Sequence, residues 1–235
     1  MRRGSGASGI LLVGWSLTLA SAPSAAGRAV SPQSIHDSLT TAAPLSRADA
    51  ARVVQASREA IAGKAFRLTG DGGSTAVHQM GPDGLLKFTR TEPVPILTEY
   101  TGQPGRYCDG SPAFGELAIS YQRADGKWIV NALSSTPRDA PIFATLAGAL
   151  GVLDEGPTVI DGRPVRQFTA QWNPPGGYVK PQTVRLWIDI ASLLPVRFAF
   201  SLAGAQAMPA LSFEYDATID LHRPDDVKTP DCIER

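Results

Sequence analysis

Two neighbouring runs in the C-terminal third of the chain alternate between apolar and polar residues. In each run every second residue is apolar, which is the period of a β-strand with one buried and one exposed face. Residues 183–202 are therefore predicted to form two antiparallel strands joined by a tight turn. A shift of one residue would place Arg197 among the apolar side chains, so the alternation also fixes the register. The predicted pairs are Ile190 with Leu194, Ile188 with Val196, Leu186 with Phe198 and Trp187 with Arg197.

The same alternation recurs along most of the chain from Ala65 onward. Turn-forming residues separate the runs, and the dipeptides at 125–126 and 161–162, both Asp-Gly, are strong signals for two-residue hairpin loops. The first loop predicts that Tyr121 lies opposite Val130. Roughly nine to eleven short strands joined mainly by tight turns indicate an antiparallel sheet.

Two segments of this series have further signals. Residues 92–104 contain three prolines, which favours an edge strand or a loop over a central strand. Residues 211–221 alternate throughout and predict one long final strand.

Two other segments show the apolar spacing of a helix. In residues 46–62, Ser46 is suited to cap a helix and Asp49 follows three residues later. The apolar stripe of this predicted helix consists of small side chains. Residues 140–153 are more apolar and carry no charged side chain, with Pro141 at a favoured first-turn position. A helix this apolar is expected to be buried or to lie against another apolar surface.

Residues 1–26 have the parts of a secretory signal peptide. Arg2 and Arg3 precede an apolar stretch at residues 10–20, and small residues follow near Ala25. A membrane anchor is the alternative, but the apolar stretch is too short to span a bilayer. No cysteine lies near the cleavage region, so no lipid-attachment site is expected.

The remaining chain is predicted to form one domain. Residues 27–45 are rich in Ser, Ala, Thr and Pro and are expected to be a mobile leader with one helical turn around His36. Residues 46–235 form the domain itself, because all-β domains often reach this size.

Charge and cysteine content narrow the possible functions. The chain has 22 basic and 22 acidic residues, so nothing in its charge attracts nucleic acid or an anionic membrane surface. Its two cysteines, Cys108 and Cys232, are predicted to form a disulfide, since an even number in an exported protein favours pairing. Two unpaired thiols are the alternative.

The sequence lacks the common motifs of catalysis. It has no Gly-x-Ser-x-Gly elbow, phosphate-binding loop, dinucleotide fingerprint or His-Glu-x-x-His. His78 lies within a predicted strand without a visible partner and is interpreted as structural. Glu214, Asp216 and Asp220 alternate on the polar face of the last predicted strand, which indicates a solvated edge. We therefore expect no catalytic residues, no cofactor and no metal.

The predicted sheet has an apolar face that the two predicted helices cover thinly. One helix carries small residues and the other is short. A large sheet with such a cover favours a groove or cavity, which in exported proteins commonly holds an apolar ligand. An ordinary filled core is the alternative, and the residues alone leave both open.

Several short motifs resemble a known family. Residues 187–189, Trp-Ile-Asp, and 194–197, Leu-Pro-Val-Arg, resemble a strand pair of the periplasmic lipoprotein-carrier (LolA/LolB-like) superfamily. Within that superfamily they are most similar to the LppX/LprG-type lipid-binding lipoproteins. Residues 142–163 resemble the cavity helix and following hairpin of these proteins, and residues 213–224 resemble their final strand and closing Pro segment.

The resemblance implies an α+β fold in which a highly curved antiparallel sheet, a half-barrel, carries two or three helices over its concave face. It also implies that the cavity between sheet and helices holds the acyl chains of lipids, glycolipids or lipoproteins. This chain differs in lacking the lipid-attachment cysteine of the mycobacterial members and in having a cysteine pair. The lipid-binding residues predicted on this basis are Phe143, Leu146, Leu150, Leu186, Ile188, Phe198, Phe200 and Phe213.

The sequence thus predicts an exported, non-enzymatic binding or carrier protein, monomeric and soluble in the periplasm or cell envelope after signal-peptide cleavage. Its expected partners are a lipid or acylated molecule and an envelope membrane complex, with no nucleic acid. The alternative is an exported structural or interaction module with a filled core and no ligand.

Overall fold

The computed structural model describes residues 32–70, 75–135, 143, 149–172, 182–202 and 210–234. The predicted signal peptide lies outside these ranges, and within them no helix is long and apolar enough to cross a bilayer. The elements are α1 (Pro32–Thr40), α2 (Arg47–Ala60), β1 (Ala65–Gly70), β2 (Thr75–Met80), β3 (Leu86–Glu92), β4 (Ile96–Arg106), β5 (Pro112–Ala124), β6 (Lys127–Ser135), β7 (Ala149–Ile160), β8 (Arg163–Trp172), β9 (Gln182–Asp189), β10 (Pro195–Leu202) and β11 (Leu211–Tyr215).

All of these strands belong to one antiparallel sheet, in the order β6-β5-β4-β3-β2-β1-β11-β10-β9-β8-β7. The last strand, β11, lies between β1 and β10 and so joins the two halves of the sheet. In the described part of the chain β6 and β7 each pair with one neighbour, so the sheet is open. The predicted antiparallel sheet is confirmed, whereas the half-barrel curvature and a third helix remain predictions.

The predicted hairpin at residues 183–202 is formed by β9 and β10. Two of its predicted pairs are confirmed, Leu186 opposite Phe198 and Trp187 opposite Arg197. The apolar face is also as predicted, because Leu186 and Phe198 are buried while Arg197 lies on the other face.

The register differs from the prediction beside the turn. Ile188 lies opposite Pro195 and not opposite Val196, because the pairing shifts by one residue between Pro195 and Arg197. The predicted pair of Ile190 with Leu194 is therefore wrong. Pro195 has no N–H to give to the ladder, and a bulge beside it absorbs the interruption.

Both two-residue loops form as predicted. Their Asp and Gly residues have φ values between 50° and 76°, the left-handed region that a type I′ turn requires. The first loop joins β5 to β6 with Tyr121 opposite Val130, as predicted. The second joins β7 to β8.

The predicted helix at residues 140–153 is wrong in its C-terminal part. β7 begins at Ala149, which lies opposite Trp172 of β8, and continues as a strand to Ile160. A short apolar run fits both helical and strand spacing, and here the backbone groups are satisfied by pairing with β8. Phe143 is helical. Residues 140–142 and 144–148 lie outside the described ranges.

The position of β4 also corrects the sequence analysis. Predicted as an edge strand or loop, it lies inside the sheet between β3 and β5. Pro93 and Pro95 precede the strand, and Pro104 lies where the register with β5 shifts. The regular part of the ladder therefore loses no N–H to proline.

The final strand is shorter than the predicted residues 211–221. β11 ends at Tyr215, and the Asp216 carboxylate then accepts hydrogen bonds from the Thr218 N–H at 2.8 Å and the Thr218 hydroxyl at 2.6 Å. A carboxylate that binds its own backbone two residues on favours a turn over a strand. We call residues 216–234 the C-terminal segment.

The N-terminal helices are only partly as predicted. α2 is confirmed, with the Ser46 hydroxyl accepting from the Asp49 N–H at 3.2 Å. α1 is longer than the single turn expected around His36. Its Leu39 is fully buried in the same apolar cluster as Val53 of α2, so this part of the predicted mobile leader is an ordered helix.

The sheet is covered on both faces. On one face, which we call the helix face, α1 and α2 pack against strands from both halves of the sheet. On the other face the C-terminal segment packs on β2–β5 through Leu221 and Ile233. The predicted disulfide between Cys108 and Cys232 is present and joins positions 124 residues apart.

Candidate functional site

Five of the eight predicted lipid-binding residues lie together in the cluster on the helix face, which we call the main core. Each is buried, with at most 7% of its surface exposed. Leu146 lies outside the described ranges, as do the side chains of Leu150 and Phe200. The five residues are Phe143, Leu186, Ile188, Phe198 and Phe213.

The antiparallel register explains why strands distant in sequence bring these residues together. Leu186 of β9 lies between Phe168 of β8 and Phe198 of β10 in one row across the sheet. Phe213 continues the apolar surface on β11, with its ring 5.7 Å from the ring of Phe198 and 5.1 Å from that of Phe66. The result is one apolar surface that extends over eight neighbouring strands, from β3 to β7 in the order of the sheet.

α2 covers this surface with small side chains, and α1 adds a leucine. α2 contributes Ala50, Val53 and Val54, and α1 contributes Leu39. Ala and Val bury less apolar area each than the Leu, Ile and Phe residues of the sheet that they cover. The apolar surface of the main core is therefore built mainly by the strands.

A buried ion pair fastens the α1–α2 connection to the sheet. Arg166 of β8 and Asp154 of β7 have fully buried side chains, and both Asp154 oxygens accept from Arg166 at 2.6 and 2.8 Å. The same guanidinium donates to the carbonyls of Leu39, Thr41 and Ala43, at 3.1, 2.5 and 2.7 Å. One side chain thus contacts both Asp154 oxygens and three backbone carbonyls, one in the last turn of α1 and two in the connection to α2.

The carboxylate of this pair has further donors. Asp154 also accepts from the N–H groups of Leu45 and Gly156, at 2.7 and 3.0 Å. Burial alone would raise its pKa, but the hydrogen bonds from Arg166 and the two amides lower the pKa of Asp154 below its ordinary value. The sequence did not predict this pair. Arg166 lies in a predicted strand without a motif that would indicate a partner, and Asp154 came directly after a predicted helix, not in a strand beside it.

His78 is another buried polar side chain of the described residues. On β2 it faces Phe66, whose ring lies 5.3 Å away, and its Nδ1 is 3.2 Å from the Thr89 hydroxyl. Its Nε2 has no partner within the described structure. Burial favours the neutral ring and lowers the pKa of His78 from 6.5 to about 4.

This lowered pKa predicts a loss of stability in mild acid. Between pH 6.5 and about 4 the unfolded chain binds a proton at His78 and the folded chain does not, so the free energy of unfolding falls as the pH falls. The expected loss over this window is about 3 kcal/mol. Denaturant unfolding between pH 7 and pH 4 measures it, and His78→Gln should lose correspondingly less.

The matched control is His222→Gln, which removes an exposed imidazole. It should keep the pH dependence of the wild type. An unchanged dependence in His78→Gln would contradict the assignment to His78.

The remaining chemistry of the described residues is sparse. Glu214, Asp216 and Asp220 are exposed, but the predicted edge is wrong, because β11 lies inside the sheet and ends at Tyr215. No group of three or more His, Cys, Asp or Glu side chains in these ranges is arranged to hold a metal. The candidate site is therefore the apolar main core, with the Arg166–Asp154 pair at its border.

Comparisons with known proteins give a distant likeness. No family model matches the chain, and no curated protein matches its sequence. LprF from Mycobacterium bovis is 14% identical with a TM-score of 0.43, over 75% of this chain and 97% of LprF. The lipoprotein LppX from Mycobacterium tuberculosis is 15% identical with a TM-score of 0.38, over 75% of this chain and 100% of LppX. MucB is 16% identical with a TM-score of 0.36, over 78% of this chain and 64% of MucB. The predicted resemblance to LppX/LprG-type lipoproteins is confirmed, since LppX and LprF are among the solved structures that this chain resembles.

Proposed function

We propose that this protein is an exported, non-enzymatic carrier or binding protein that sequesters acyl chains between its helices and its sheet. The observation that supports this is the main core itself. Strands from both ends of the chain build one apolar surface, and in the described part of the chain α2 covers it with small side chains while α1 adds Leu39. A cover of this kind can be replaced by an acyl chain with little change in the sheet.

In this proposal the acyl chain lies along the helix face. Leu186, Ile188, Phe198 and Phe213 contact it from the sheet, while Phe143 contacts it from the segment before β7. These side chains pack against the helices when no ligand is bound, and α1 and α2 move outward to admit one. Each methylene transferred from water into this site contributes about 0.8 kcal/mol.

The proposed location follows from the predicted signal peptide. After cleavage, residues 27–235 act as a soluble monomer in the periplasm or cell envelope, with residues 46–235 as the carrier domain. The ligand is a lipid, glycolipid or other acylated molecule. An envelope membrane complex supplies it or receives it.

Phe143→Ala separates acyl binding from simple packing. If Phe143 contacts the ligand, the variant should bind a fluorescent fatty acid about tenfold more weakly, since part of an apolar contact is lost. In a filled core, truncating Phe to Ala typically lowers the free energy of unfolding by about 3–5 kcal/mol. Phe143→Ala should lower it by less than this. Fluorescence titration and denaturant unfolding measure the two effects.

Val159→Ala is the matched control, because Val159 is 65% exposed on β7. It should leave both binding and stability near the wild-type values. Native mass spectrometry of protein purified from its own envelope should show an added lipid mass. If the wild type takes up no fatty acid and Phe143→Ala loses the full core value, the protein is instead a module with a filled core.

A further inference from the structure

A cleft of about 360 Å³ lies on the face that the C-terminal segment covers. On its floor Arg90, Leu97 and Tyr121 stand side by side, because each lies opposite the next across β3, β4 and β5. One row further along, Arg123 lies opposite Trp128 of β6. The C-terminal segment lines the opposite side with Asp220, Leu221, His222 and Pro224. The cleft is separate from the main core, which lies on the helix face.

The floor of the cleft is held by hydrogen bonds that converge on Glu99. Tyr121 is fully buried and its hydroxyl donates to Glu99 at 2.7 Å. Arg223 donates to both oxygens of the same carboxylate, at 2.8 and 2.9 Å. Burial would raise the pKa of Glu99, but these bonds lower it. Glu99 therefore stays ionised and neutralises Arg223, which leaves the shape of the floor fixed.

The cleft offers an aromatic wall beside a cation. Trp128 is 42% exposed, and the Arg123 guanidinium carbon lies 5.9 Å from its ring centroid. Pro95 and Pro224 add rigid apolar surface. A half-exposed indole among prolines leaves a flat ligand an apolar surface on which to stack.

The charges that line the cleft are not balanced. Arg90 is 3.1 Å from Glu92, which is also 3.1 Å from Arg67. Arg123 makes no ion pair with any residue that the structure describes, so its donors are available. Among the lining residues Asp220 alone carries a carboxylate. A ligand with a negative group is therefore the one that the cleft complements.

We propose that this cleft binds a small amphipathic anion, with its flat apolar body against Trp128 and Pro224 and its negative group on Arg123. The site is distinct from the proposed acyl site and does not depend on it. Its ligand class is a ring or short apolar chain that ends in a carboxylate, sulfonate or phosphate.

Naphthalene-2-sulfonate and 2-naphthalenemethanol form a matched pair of probes, because they share the rings and differ in charge. Calorimetric titration of the mature protein should show binding of the sulfonate at least about tenfold tighter than the alcohol, the size expected for one charge-assisted contact. Arg123→Gln should remove this preference and leave the binding of the alcohol unchanged. Trp128→Ala should weaken both probes. Added salt should weaken the sulfonate alone, since Arg123 is exposed.

Two control variants locate the binding. Arg163→Gln, an exposed arginine at the start of β8, should change neither affinity. Phe143→Ala should leave sulfonate binding intact, so failure of the acyl site and failure of this site give different results. Equal affinity for the two probes, unchanged preference in Arg123→Gln, or binding of a neutral disaccharide in place of the sulfonate would each overturn the proposal.

Discussion

Arg166→Met should lower the free energy of unfolding by about 3–5 kcal/mol, the range for removing one partner of a buried ion pair. Methionine nearly matches the length of arginine and leaves little void, so most of this loss is electrostatic. In the variant the buried Asp154 carboxylate keeps the N–H groups of Leu45 and Gly156 as donors but loses the Arg166 guanidinium. Three backbone carbonyls, one at the end of α1 and two in the connection to α2, also lose this donor. Urea unfolding at pH 7 measures the change.

The double variant Arg166→Met/Asp154→Leu distinguishes the uncompensated charge from lost packing. It removes both charges, so it should recover part of the loss even though the carbonyls stay without a donor. Arg163→Met is the matched control, since Arg163 lies on the same strand and is exposed; its free energy of unfolding should stay within about 0.5 kcal/mol of the wild type. If Arg166→Met were no worse than this control, the pair would not fasten the α1–α2 connection.

Strand alternation carried most of the fold prediction because it depends only on neighbouring residues. Leu186 and Phe198 lie on the apolar face and opposite each other, as their spacing requires. The two Asp-Gly loops were also predictable from neighbouring residues alone, because the left-handed backbone conformation of a type I′ turn favours Asp and Gly. The bulge beside Pro195 was not predicted. The alternation of apolar and polar residues does not indicate at which residue the pairing shifts when a hydrogen bond of the ladder is missing.

Features that depend on contacts distant in sequence were not predictable in this way. The segment at Ala149 has apolar residues that suit either a helix or a strand, and pairing with β8 decides between them. Leu39 appeared to belong to a leader, since its partners in the main core come from α2 and the sheet. Arg166 lies among strand residues, and only the folded chain brings Asp154 and the α1–α2 carbonyls to it.

The predicted lipid-binding residues illustrate the same limit. Their apolar character and strand positions were readable, and the five that the structure describes share the main core. Whether such a core opens depends on how firmly its cover is attached. That attachment includes the buried Arg166–Asp154 pair, which no pattern in the sequence revealed.

Removal of the disulfide should have the other large effect. The double variant Cys108→Ser/Cys232→Ser should lower the free energy of unfolding by about 5 kcal/mol, because a crosslink between positions 124 residues apart strongly restricts the unfolded chain. Replacing both cysteines avoids a free thiol. Urea unfolding of the variant, beside the oxidised wild type, measures the loss.

The loss should act on the unfolded state more than on the folded one, because the C-terminal segment is attached to the sheet at other points. The Ile233 N–H donates to Arg106 at 2.8 Å and its carbonyl accepts from Cys108 at 3.1 Å, while Arg223 binds Glu99. The variant should therefore keep the wild-type circular dichroism at pH 7 and differ mainly in its unfolding midpoint. The rate of amide hydrogen exchange near Ile233 should increase only as much as the lower free energy of global unfolding predicts. A variant that loses protection only in the C-terminal segment, with an unchanged midpoint, would show that the disulfide holds that segment locally and does not stabilise the whole fold.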